Sequence, residues 1–289
     1  MHVFVTGATG WVGSAVVEEL IRAGHQVTGL ARTEAKATAL AATGAQVLLA
    51  TLDDLDALHR AASSADAVIH TAFNHDFSKM AENAEQDRRA IEALGRAVEG
   101  SDRPLLVTSG LSGLAQGRPA TETDPDSSVF RKSEAAARSL AEHGIRVATV
   151  RLPPSVHGLG DHGFIPILIN LAREKGVSAY PGEGQNRWAG VHRSDAARLY
   201  RLVVEQGATE PIYHAVADEG VPFQEIAAVI GRRLGLPVES RGPEHFGWFA
   251  RFASIDMCAT SARTRSVLDW EPTGPSLLAD LDQPGYYAG

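Results

Sequence analysis

The chain has 289 residues, a single cysteine and a formal net charge of -8, with 27 Lys and Arg against 35 Asp and Glu. A chain of this length buries a full core with room for a smaller appendage, and its acidic balance offers no basic face to a nucleic acid. Cys258 has no partner for an internal disulfide or a zinc site, no apolar run is long enough to span a bilayer, and the first residues enter a strand directly, so a cytoplasmic protein without a signal peptide or membrane partner is expected.

In chain order, Val3, Phe4 and Val5 read as a buried strand running into Thr6-Gly7-Ala8-Thr9-Gly10-Trp11-Val12-Gly13. The glycines fall at a G-x-x-G-x-x-G spacing, and Val12, Val16 and Leu20 open a helix at once. Gly7 allows the tight turn, Gly10 lets the backbone approach a pyrophosphate, and Gly13 lets the helix pack close to the strand. The helix N-terminus then offers its N–H groups to the anion, and a dinucleotide site is expected.

Strands and helices continue to alternate. Gln26-Val27-Thr28-Gly29-Leu30 is a strand, followed by an Ala-rich helix ending near Gly44 and the strand Ala45-Gln46-Val47-Leu48-Leu49. A short helix is predicted over 55–62, a strand at Ala67-Val68-Ile69-His70, a long helix over 81–99 and a strand at Pro104-Leu105-Leu106-Val107-Thr108. A helix over 130–143 precedes the strand Arg146-Val147-Ala148-Thr149-Val150. This is the pattern of an α/β, Rossmann-type, doubly wound parallel sheet with its ligand crevice at the carboxyl ends of the strands. Beyond Arg151 the alternation loosens at Pro153-Pro154-Ser155, Gly158-Leu159-Gly160 and Gly182-Glu183-Gly184, with helices predicted over 194–206 and 222–234. Residues 1–152 are read as the dinucleotide-binding domain, 153–289 as mostly a smaller C-terminal substrate lobe, and 191–215 as returning to the first domain.

Arg32 stands just after the second strand, where selectivity for the unphosphorylated dinucleotide places an Asp or Glu on the ribose 2′-hydroxyl. An arginine there pairs with a 2′-phosphate, which favours NADP(H).

Thr6 to Gly13, Val68-Ile69-His70-Thr71-Ala72, Val107-Thr108-Ser109, Arg151 to Gly158 and Val191-His192-Arg193-Ser194-Asp195 resemble the extended branch of the short-chain dehydrogenase/reductases, which includes the nucleotide-sugar epimerases and dehydratases. The resemblance implies a bound NAD(P) contacted by Thr6, Gly7, Thr9, Gly10, Trp11, Val12, Gly13, Arg32, Leu52, Thr71, Ala72, Glu134, Pro153, Ser155 and Val156. Family chemistry rests on a Tyr-x-x-x-Lys pair, in which the phenol moves a proton and the lysine lowers its pKa. The matching segment reads Phe130-Arg131-Lys132-Ser133-Glu134: Phe130 has no exchangeable proton, and Glu134 puts an anion where the cation belongs. Lys132 faces away on a helix, and Glu134 is expected to accept hydrogen bonds from the nicotinamide ribose instead. The family's Ser position falls on or beside Gly110, flanked by Ser109 and Ser112, and its Asn position on Asp87. This pattern is similar to the atypical, tyrosine-lacking ketoreductases of angucyclinone biosynthesis of the simocyclinone type, and implies a proton supplied partly by the substrate.

Ser109 and His192 are the candidates for catalysis, and Phe73, Ser112, His157, His162, Phe164 and Trp188 for contact with a flat, oxygenated aromatic ketone. The scattered histidines lack metal-ligand spacing, so no metal is expected. The aromatic segment His245 to Phe252 is predicted to be a helix, as core or pocket lid. Resemblance extends to a homodimer through the helices near 81–99 and 130–142, with a monomer the other possibility. An NADPH-dependent ketoreductase is the leading expectation, with a non-catalytic NADP(H)-binding regulator and a nucleotide-sugar epimerase or dehydratase as alternatives.

Overall fold

A computed structural model describes residues 1–115, 117–126 and 131–287, with Phe77 described by its backbone alone; Phe130 therefore lies outside the described residues. The first unit runs β1 (His2–Thr6), α1 (Trp11–Arg22), β2 (Gln26–Ala31), α2 (Glu34–Ala41), β3 (Gln46–Leu49), α3 (Leu55–Ser63), β4 (Ala67–His70), α4 (Met80–Val98), β5 (Leu105–Gly110), α5 (Ser133–Glu142) and β6 (Val147–Leu152). The chain then passes through β7 (Ser155–His157), α6 (Phe164–Lys175), β8 (Ser178–Pro181), β9 (Arg187–His192), α7 (Arg193–Glu205) and β10 (Ile212–His214). It closes with β11 (Asp218–Pro222), α8 (Phe223–Leu234), β12 (Val238–Arg241), α9 (Pro243–Phe246), α10 (Ala250–Ser254), α11 (Ala262–Leu268) and α12 (Leu277–Leu281).

A seven-stranded parallel sheet in the order β10-β6-β5-β4-β1-β2-β3 forms the centre. Central strands covered on both faces read as unbroken apolar runs, and Val3, Phe4, Val5, Leu105, Leu106 and Val107 are all fully buried. The order reverses between β1 and β4, which opens the crevice at the carboxyl ends of these strands, beside the glycine turn. Residues of β10, reached only after the chain has entered the lobe, pair with β6 and complete the sheet. The lobe itself carries a three-stranded sheet, β11-β9-β7, and the pair β12-β8.

Several expectations are corrected here. α5 begins at Ser133 instead of at 130. The predicted helix over 245–252 is broken: Gly247, at φ +55°, ends α9 and starts a 3-10 turn ahead of α10. Trp188 and Phe164 belong to the core of the lobe, where Trp188 is 0% exposed. Its ring lies 5.1 Å from Phe223 and 6.1 Å from Phe164, and Phe164 also packs on Phe249 and Phe252, so both rings are committed to holding the lobe together. Among the described residues no helix is long and apolar enough to cross a membrane, and no group of three or more His, Cys, Asp or Glu is placed to hold a metal ion.

Candidate active site

The glycine turn is built by backbone approach. Gly7 has φ +68°, and a Cβ on it would lie 2.6 Å from the Ala72 nitrogen; a Cβ on Gly13 would lie 2.1 Å from the Gly7 carbonyl oxygen. Side chains are therefore excluded from both positions. Gly10 caps α1 without a side-chain hydrogen bond, so the first-turn N–H groups are left for an anion. Trp11 donates from Nε1 to the Val156 carbonyl at 2.7 Å, tying the turn to β7. Thr9, Val12, Thr71, Ala72 and Val156 are half-buried around this turn, and Pro153 is buried. The Ser155 hydroxyl is buried without a hydrogen-bond partner among the described residues. Arg32 is exposed at the end of β2 and makes no ion pair among them. An uncapped helix start, a cradle that any Cβ would fill and an orphaned buried hydroxyl all fit a pyrophosphate-bridged dinucleotide. Two expected contacts are narrowed: Leu52 packs its side chain into the core, and Thr6 is 0% exposed with its hydroxyl in contact with His70 and the Ala72 N–H.

That hydroxyl heads a buried chain. Thr6 Oγ1 bonds His70 Nδ1 at 2.8 Å, His70 Nε2 bonds Asp87 Oδ1 at 2.9 Å, and the Ser133 hydroxyl donates to Asp87 Oδ2 at 2.5 Å. All four side chains are buried, so each polar atom in the chain finds its partner inside the protein. β1, β4, α4 and the first residue of α5 are thereby fixed to one another.

Glu134 is claimed by a second buried cluster. Arg151, 1% exposed, donates to both of its carboxylate oxygens at 2.6 and 2.9 Å, to the Asp124 carbonyl at 2.8 Å and to His214 Nε2 at 3.2 Å. Burial holds His214 down, to about 4, so the ring is neutral, accepts from Arg151 and donates from Nδ1 to the Thr260 carbonyl. The expected ribose contact of Glu134 is thus replaced by an internal ion pair, because a guanidinium from the neighbouring strand takes both oxygens.

Arg131, just ahead of α5, is a site residue the sequence reading passed over. Its guanidinium carbon stands 4.2 Å from the centroid of the Phe73 ring, and its Nη2 reaches toward the Thr108 carbonyl at 3.4 Å. Burial lowers its pKa and Asp87 acts against that shift. His75 packs edge-on against Phe73 and is held below its ordinary value by burial and then by Arg131. Lys132 faces outward as expected, paired with Glu85 on α4. Ser109, 4% exposed, lies beside Arg151 one residue before the end of β5, whereas Ser112 is exposed in the turn that follows. The phenol of Tyr200 bonds the Thr108 hydroxyl at 2.6 Å, and burial pushes its pKa upward.

The histidines divide. His162 is exposed and packs edge-on against Trp11 at 5.6 Å, at the mouth of the crevice. His157 is fully buried, 2.9 Å from Asp280 and 3.8 Å from Asp218; burial opposes its charge, yet the two carboxylates prevail and raise its pKa. It is an internal ion-pair partner and corrects the expected substrate contact. His192 caps α7 through Nδ1 and lines a separate cleft of about 340 Å³ along α1 with Trp11, Glu18, Arg22 and Arg193. Burial and then the neighbouring His157 lower its pKa, and Nδ1 is committed to the cap of α7.

Sequence and structure comparisons agree with this architecture. The profile described as "NAD dependent epimerase/dehydratase family" matches residues 3–216. "Uncharacterized protein C2A9.02" of Schizosaccharomyces pombe is 45% identical over 99% of this chain and 100% of its own length. The 4-hydroxy-2-methyl-3-oxo-4-farnesyl-3,4-dihydroquinoline-1-oxide ketoreductase of Stigmatella aurantiaca is 25% identical over 83% of this chain and 75% of its own. A solved structure of the dTDP-glucose 4,6-dehydratase DesIV of Streptomyces venezuelae, a double mutant with NAD and DAU bound, superposes with a TM-score of 0.79 over 99% of this chain and 96% of that one, at 19% identity.

Proposed function

The chain belongs to the NAD dependent epimerase/dehydratase family, which generally carries out oxidoreductase chemistry with a nicotinamide dinucleotide, and from that premise we propose that it is an NADPH-dependent ketoreductase. Its substrate would be a ketone on a flat, oxygenated aromatic ring system, of the angucyclinone polyketide kind. The observation that carries the direction of reaction is the Glu134–Arg151 pair: where a lysine would activate a phenol, the structure has a carboxylate locked inside the protein, and Phe130 supplies no phenol. Epimerases and dehydratases begin by oxidising an alcohol, which needs a base at that place. Reduction needs only a proton, which a phenolic or enolic hydroxyl of the substrate can give. The Stigmatella relative, whose name is that of a ketoreductase, supports this choice.

In this reading the first turn of α1 holds the pyrophosphate, Arg32 the 2′-phosphate, and Ser155 bonds the nicotinamide end. When bound, the reduced nicotinamide supplies a hydride. Ser109 steadies the substrate oxygen at the end of β5, and Phe73 provides a flat apolar wall. The test is to follow NADPH absorbance with a panel of quinones and polycyclic ketones, alongside dissociation constants for NADPH and NADH. Oxidation of NADPH by at least one ketone and tighter binding of NADPH than NADH are expected. Tight NADPH binding with no oxidation by any of them would make the protein an NADP(H)-binding regulator.

A further inference from the structure

Arg131 follows Phe130 directly and stands at the carboxyl ends of two strands at once, over Phe73 beyond β4 and against the Thr108 carbonyl of β5. A half-buried cation is costly unless an anion compensates it, and Asp87 is the first of the acidic groups acting on this one. Both oxygens of Asp87 are already occupied, by His70 and Ser133. The carboxylate therefore supplies countercharge to Arg131 from within a fixed network. A guanidinium is a planar fork of five N–H donors, matched to pairs of oxygen atoms and to stacking on a ring.

We propose that Arg131 is the oxyanion-binding residue of this site: it stands in for the missing phenol as hydrogen-bond donor to the substrate's carbonyl oxygen, and it selects aromatic carbonyl compounds that carry an ionised oxygen, carboxylate or phenolate, beside that carbonyl. This deepens the ketoreductase reading and rests on it. As hydride adds to the carbonyl carbon, the C=O π pair moves onto oxygen, and Arg131 holds the resulting alkoxide. The alkoxide then takes a proton from the adjoining substrate hydroxyl or from water, and NADPH is left as NADP⁺. The guanidinium keeps its own protons throughout, so it stabilises charge without serving as the acid.

The test uses the full chain saturated with NADPH and two non-reducible probes, 1-hydroxy-2-naphthoate and neutral 1-naphthol, titrated calorimetrically into wild type, R131M, R131K and the exposed-pair control K132M. Wild type and K132M should prefer the carboxylate by at least about tenfold, the lower end of what a charge-assisted hydrogen bond supplies. R131M should lose that preference with its NADPH dissociation constant unchanged, and R131K should recover part of it. If R131M loses NADPH binding as well, R131K decides: an unchanged preference over the neutral probe supports the charge role, and a lost one overturns it. Equal preference in wild type and R131M, or no binding of the carboxylate by wild type, would also overturn the assignment. A preference that follows Arg131 in a protein that reduces no ketone would sink the ketoreductase reading and leave the anion site standing.

Discussion

The glycine turn and the segment 131–134 stand at the same end of the sheet and are joined by the Thr6–His70–Asp87–Ser133 chain, yet they work by different means. The turn works by shape: backbone passes within contact of backbone, and the chemistry is carried by N–H groups every residue possesses. The segment works by charge: Arg131 leans on Asp87, and Glu134 is given over to Arg151. Shape is specified locally and tolerates no added atom. Charge is specified by partners elsewhere and tolerates no missing one.

Four measurements would break or sharpen that contrast. The largest effect is expected from Glu134→Gln, which leaves Arg151 buried beside a neutral amide; breaking a buried pair on one side costs about 3–5 kcal/mol, read as a fall in unfolding free energy in urea. A loss below about 1 kcal/mol would mean that the segment does not depend on this pair. Next comes Gly13→Ala, whose methyl collides with the Gly7 carbonyl and should weaken NADPH binding by about 100-fold, measured by fluorescence titration. Near-normal affinity would refute the role of shape. Arg32→Ala should weaken NADPH by about tenfold and leave NADH unchanged, because it removes a charge-assisted contact and no part of the cradle. Equal loss for both dinucleotides would assign Arg32 a structural role.

The smallest effect concerns His157, which faces Asp218 and Asp280 and has His192 and Asp161 beside it. Its pKa is raised in the folded chain, so its stabilising contribution is complete below the unfolded value of about 6.5 and is lost as pH rises through the folded value. The stability difference between wild type and His157→Asn should shrink between pH 6 and pH 9 in parallel thermal melts. A difference that grows with pH would mean the ring is neutral when buried.

The same contrast explains what the sequence discloses. The parallel sheet is legible because doubly covered strands such as Val3-Phe4-Val5 are continuously apolar, and the cradle because glycine spacing states its own geometry. The start of α5 is misplaced by three residues, since no N-cap signal marks Ser133. Glu134 reads as a ribose ligand until Arg151, seventeen positions on, takes both oxygens. His157 and His192 look like crevice residues until Asp218 and Asp280 arrive from beyond β10 and α7 receives its cap. Phe164 and Trp188 are aromatic in either role, and only packing distinguishes core from pocket. Arg131 had one available signal, a cation adjacent to the lost phenol.

The late arrival of β10 has a consequence for biosynthesis. Strand β6 leaves the ribosome as an uncovered edge and stays so while some sixty further residues are made, until Ile212–His214 pair with it. His214 also brings the last side-chain partner of Arg151, so the cluster around the Glu134–Arg151 pair lacks its final member over the same interval. A nascent chain halted before residue 212 should be recognised by holdase chaperones and should aggregate on release, whereas one that has emerged past 214 should not. The order of synthesis therefore makes the returning strand a checkpoint: the seven-stranded sheet closes only after the chain has passed through part of the C-terminal lobe.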